Sequence, residues 1–131
     1  MKRMLILLLG LNCIIASSQT QSEMNNESLN SFENADKELN DVYKKILIEY
    51  KSDTTFIKNL KASQRIWITF RDAELKMKYP EREPLWYGSM YPLCVNGYLQ
   101  ELTVERTKKL KEWLTGVEEG EGCGGSIKRK N

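Results

Sequence analysis

The chain of 131 residues contains no histidine. That removes the side chain most often used as a general base or metal ligand near neutral pH. It has only three cysteines, and none falls in a zinc-type spacing. No glycine-rich loop opens a helix in the manner of a phosphate cradle. No apolar run approaches the ~20 residues that a membrane-crossing helix needs. Neither sign of charge dominates, with 20 Lys and Arg against 18 Asp and Glu, so the composition is not that of a nucleic-acid binder. Close carboxylates do occur, as Asp36 with Glu38 and Asp72 with Glu74. Two residues apart on a helix they point different ways and read as solvated surface rather than an acid pair. Catalysis, metal binding and cofactor binding are therefore not expected.

What the chain does have begins at its start. Lys2 and Arg3 precede an apolar run from Met4 to Ile15, followed by Ala16-Ser17-Ser18-Gln19. This is the layout of a secretory signal, with a cut expected after Ser18 and a periplasmic or secreted product. Cys13 raises a lipoprotein reading. Gly10-Leu11-Asn12 fits the box before a lipidated cysteine poorly and Ile14-Ile15 continue the apolar run, so Cys13 is expected to leave with the signal. Loss of Lys2 and Arg3 takes the formal charge from +2 to 0.

Periodicity then predicts three helices. From about Thr20 to Tyr50, Met24, Phe32, Ala35, Leu39, Val42, Ile46 and Tyr50 recur at steps of three and four. Ser52-Asp53-Thr54-Thr55 supplies a break and a new cap. The second helix runs from about Thr55 to Lys78, with Phe56, Leu60, Gln64, Trp67, Phe70 and Met77 near one face, and ends before Pro80. A loop over 79–91 carries Tyr79, Trp86, Tyr87 and Tyr91. Pro92 suits the first turn of a third helix reaching Thr115, with Leu99, Leu102, Arg106, Leu110 and Trp113 on its stripe. Residues 116–131, rich in glycine and charge, are expected to form a flexible tail. The fold class is all-α: an elongated antiparallel bundle of three main helices with short loops, over residues 19–115.

The most specific polar set is Gln64, Arg71, Asp72 and Arg106. An arginine on an apolar stripe needs a partner, because a lone buried charge costs several kcal/mol. Asp72 and Glu38 are the expected partners of Arg106, and the set reads as a structural clamp. The first helix is acidic, with Glu33, Asp36 and Glu38 as candidates for a partner-binding face. Trp86 and Tyr87 in the loop are candidate anchors. Cys94 and Cys123, in an exported chain, are either a disulfide or two free thiols.

Several segments in order carry a family resemblance: Thr20-Gln21-Ser22-Glu23-Met24-Asn25, Ala35-Asp36-Lys37-Glu38-Leu39-Asn40-Asp41-Val42-Tyr43, Gln64-Arg65-Ile66-Trp67 with Phe70-Arg71-Asp72-Ala73-Glu74, Gly88-Ser89-Met90 with Pro92-Leu93, and Leu102-Thr103 with Arg106-Thr107 and Leu110. Over about residues 20–114 the chain resembles the LprI-like lysozyme inhibitor domain, a family of exported bacterial helical proteins. The resemblance implies a binding protein that acts by surface contact on lysozyme or another peptidoglycan hydrolase. The alternative is an interaction or structural module of the cell envelope with no hydrolase target. Where many members carry cysteines, this chain has Ser28, Leu75 and Tyr98, so the resemblance implies that the usual staples are missing.

Overall fold

A computed structural model describes residues 2–130, with side chains from residue 20 onward. The readings at Ser18 and Cys13 lie outside the residues whose side chains are described. Three helices follow one another: α1 Lys2–Glu49, α2 Thr54–Lys78 and α3 Tyr91–Thr115. No helix among the described residues is long and apolar enough to cross a membrane. The fold is all-α, as the hydrophobic period requires.

Local chemistry sets the helix ends. The Asp53 carboxylate accepts the Phe56 amide at 2.9 Å and starts α2, a cap that contributes about 1 kcal/mol. Tyr79 ends α2 one residue before Pro80, whose ring disfavours helical backbone in the residue preceding it. Pro92 occupies the first turn of α3, where a missing N–H costs nothing. Gly116 closes that helix at φ 79°, a left-handed value that suits glycine.

The short connection after α1 reverses the chain, and the 79–90 loop reverses it again. α1 and α3 therefore run parallel, with α2 antiparallel to both. Asn96 near the start of α3 donates to Ser28 of α1 at 3.1 Å. At the other end the Tyr50 hydroxyl donates to the Trp113 carbonyl at 2.9 Å. The α1–α3 contact is the extensive one, and α2 leans on this pair more lightly. Leu39, Val42, Ile46, Tyr50, Leu60 and Leu110 form the buried core, each fully buried aliphatic group contributing about 1.5–3 kcal/mol. Thr103 and Thr107 sit buried in the α3 seam, their hydroxyls donating back to the carbonyls of Leu99 and Thr103 at 2.7 and 2.8 Å. That internal bonding lets small polar side chains face an apolar helix without an orphaned hydroxyl.

One sequence expectation changes. Phe70 and Met77, placed on the core face of α2, are 50% and 68% exposed. The inward seam of α2 is Leu60, Gln64, Trp67 and Arg71. Light packing leaves that seam narrow, and Phe70 and Met77 fall on its outer flank. The tail makes contacts with itself and with the bundle. The Val117 amide donates to the Lys128 carbonyl at 3.0 Å and the Lys130 amide donates to the Val117 carbonyl at 2.9 Å, forming a bridge between Val117 and Arg129. The Trp113 indole donates to Ser126 at 3.0 Å, and the Lys128 amide donates to the Tyr50 hydroxyl at 3.0 Å. The Lys128 ammonium donates to the Glu49 carbonyl at 2.6 Å. α1 has no basic residue in its last turn, so the tail provides the cation that its negative dipole end favours.

Candidate functional site

The residues singled out by sequence fall into two places. The first is mid-bundle, around Trp67. Arg71 and Arg106 both stack on this indole, their guanidinium carbons 5.4 and 6.0 Å from the ring centroid. Arg71 pairs with Asp72 at 3.0 Å and reaches Asp36 of α1 at 3.6 Å. Arg106 of α3 donates through Nε to Gln64 at 3.1 Å and through Nη2 to Ser63 at 3.0 Å. One aromatic ring thus meets cations from two helices, and the hydrogen bonds and ion pairs of those arginines reach all three.

The expected acid partners of Arg106 are engaged elsewhere. Asp72 serves Arg71, and Glu38 pairs with Lys111. Arg106 lies on the α2-facing side of α3, where the residues opposite it are the neutral Ser63 and Gln64. Burial pushes its guanidinium pKa down, because no anion offsets the lost hydration. Ser63 escaped the sequence reading, since a serine on a helix carries no signal until its neighbour across the seam is known.

The second place is the loop at the α2–α3 end. Tyr87 is half-buried; it donates to the Pro80 carbonyl at 2.6 Å and stacks on Tyr91 with centroids 5.0 Å apart. Tyr79 meets both rings edge-on at 5.5 and 5.6 Å. Burial, then contact with Cys94, raises the Tyr79 phenol above its ordinary value of 10.0. This braced base holds up a bare tip: Trp86 is 66% exposed and Leu85 90% exposed. Leu85 also adopts φ 65°, a left-handed conformation that costs a branched residue ~1–3 kcal/mol. Glu81, Arg82 and Glu83 stand exposed beside it. Of the two loop aromatics singled out, Trp86 is exposed and Tyr87 is half-buried in the base. Leu85 was missed because an isolated leucine between proline and tryptophan looks like any core residue.

The acidic face of α1 is partly committed. Asp36 faces Arg71 and Asn40, Glu38 faces Lys111, and Glu33 is exposed. Cys94 and Cys123 are both free. Cys94 lies in the first turn of α3, while the tail that holds Cys123 folds back beyond its last turn. The separation is ~30 Å along the helix, and a disulfide needs Cα atoms within about 7 Å. Among the described residues no three acidic, cysteine or histidine side chains gather as a metal site.

A family model described as "Lysozyme inhibitor LprI" matches residues 13–110 of the chain. A protein of Rhizobium meliloti (strain 1021), described as uncharacterized protein R02472, is 31% identical over 110 residues, covering 76% of this chain and 77% of that one. No solved structure matches.

Proposed function

The chain belongs to the lysozyme inhibitor LprI family, and on that footing we propose that it is an exported protein that binds a lysozyme-type cell-wall hydrolase by surface contact. Residues 1–18 act as its signal and leave on export. The observation that carries the reading is the loop tip, Leu85 and Trp86, held bare on a base of three interlocked tyrosines. A large aromatic exposed to water is poorly placed for stability and well placed as an anchor that is desolvated on binding. Bracing lowers the ordering entropy lost on association. Glu81 and Glu83 flank the tip, and Glu27 lies beside Ser28 at the same end of the bundle. These acids suit the rim of a contact with a cationic enzyme, where charge speeds encounter more than it deepens affinity. The Trp67 assembly is the internal brace of this reading, not its contact surface.

Trp86→Ala and the double change Leu85→Ala with Trp86→Ala test it in a cell-wall lysis assay with purified lysozyme. Inhibition by the parent chain and a loss of at least about 2 kcal/mol of binding, roughly thirty-fold in Kd, on removing Trp86 are expected. The melting temperature stays unchanged, since Trp86 supports no core contact. A parent chain that neither binds nor inhibits removes the hydrolase reading and leaves the envelope interaction module. Inhibition untouched by the double change moves the contact to another face.

A further inference from the structure

A groove of about 470 Å³ runs between the first half of α2 and the last half of α3. Its floor is apolar: Phe56 and Leu60 from one side, Leu110 and Trp113 from the other. Phe56 and Trp113 lie near parallel at its far end, centroids 6.2 Å apart. Arg106 stands at the near end, half-buried, and its hydrogen bonds among the described residues go only to neutral Gln64 and Ser63. A guanidinium in that state keeps an uncompensated charge and part of its donor fork unused. The chain's own acids nearby are taken: Asp53 caps α2, and Glu112 holds Lys109 at the groove rim at 3.1 Å. Of the two cations lining the groove, only Arg106 has no acid partner among the described residues, and it presents donors in a plane at the end of an apolar channel.

We propose that this groove binds a free aliphatic monocarboxylate, its head on Arg106 and its tail along Leu60 and Leu110 towards Phe56 and Trp113. The forked donor matches a carboxylate, and a single available positive charge suits a monoanion rather than a phosphate. From Ser63 to Phe56 the channel follows two helical turns, ~11 Å at ~1.5 Å per residue, a length suited to an extended hydrocarbon tail. The volume falls within the ~300–1,000 Å³ usual for small-molecule sites. The site is separate from the loop tip and does not depend on hydrolase binding.

Calorimetric titration of the full chain with decanoate, against decanol as the uncharged control, tests the assignment. One saturable decanoate site is expected, with decanol at least about ten-fold weaker, as befits the loss of a charge-assisted contact. Arg106 also supports Trp67, so Asn59→Trp provides a variant that fills the groove from its rim without touching Arg106. It should abolish decanoate binding while the melting temperature holds. Equal binding of decanol, an absence of decanoate binding below its micelle-forming concentration, or full binding by Asn59→Trp would each overturn the proposal.

Discussion

Tyr50 is 3% exposed, yet its hydroxyl works twice: it donates to the Trp113 carbonyl and accepts the Lys128 amide. Its ring meanwhile tilts against Phe56 at 4.7 Å and lies under the Lys128 ammonium at 4.5 Å. Tyr50→Phe keeps the ring and deletes the oxygen, leaving a carbonyl and an amide without their partner. A loss of ~1–3 kcal/mol in denaturant unfolding is expected, with faster hydrogen exchange at Lys128 showing that the tail has come away. Tyr79 makes a different point at the same scale. Its phenol is held above 10.0 mainly by burial, so the folded chain binds that proton more tightly than the unfolded one. The resulting stability is complete below the unfolded value of about 10 and is lost as pH rises from there through the folded pKa. Tyr79→Phe should flatten the alkaline fall in melting temperature, and an unchanged alkaline limb would assign it to other groups. Single residues were also where the sequence was hardest to read. That Arg106 needs a partner follows from its place on an apolar stripe. That the partners are Gln64 and Ser63 depends on the register between two helices, which no one-helix pattern contains.

The helices themselves were legible. The periods and punctuation predicted boundaries at 50, 55 and 78, and 115, against observed ends at Glu49, Thr54, Lys78 and Thr115, while the first helix, expected from about Thr20, begins at Lys2. A cap aspartate, two prolines and a glycine act within one turn, so they can be read without knowing what the helix packs on. Which flank of α2 faces inward could not be read that way, and Phe70 and Met77 were misplaced for this reason. The contacts of the tail are with distant groups, Tyr50, Glu49 and Trp113, and its own glycine-rich composition gives no sign of them. Gly116 shows how tight that docking is, since a Cβ there would sit 2.9 Å from the Lys128 carbonyl oxygen. The α1–α3 seam makes the element-scale prediction. Thr103 is fully buried on α3, the helix that packs extensively on α1. Thr103→Leu adds bulk where the two helices have no slack, and should cost ~1–3 kcal/mol by overpacking. Thr103→Val removes only a hydroxyl bonded within its own helix and should cost less. The order of the two, read from urea midpoints, distinguishes a tight seam from a loose one.

At the scale of the whole molecule, stability rests on side-chain interactions rather than covalent staples. At positions where the family resemblance implies cysteines, this chain joins its helices with hydrogen bonds, Asn96 to Ser28 at 3.1 Å and Tyr98 to Glu74 at 3.2 Å. Cys94 and Cys123 are at opposite ends of α3, one half-buried and one exposed. Under the proposed export the chain would meet oxidants, but geometry forbids the internal bridge. The redox behaviour follows. A reductant should leave the melting temperature of the monomer unchanged, because the described residues contain no chain-closing bond to break. Oxidation should instead join two molecules through the exposed Cys123, giving a dimer on a non-reducing gel that Cys123→Ser removes and Cys94→Ser does not. A melting temperature that falls on reduction would mean that Cys94 and Cys123 do meet, and the tail would then have to leave its seat on Tyr50 and Trp113 to reach the far end of the bundle.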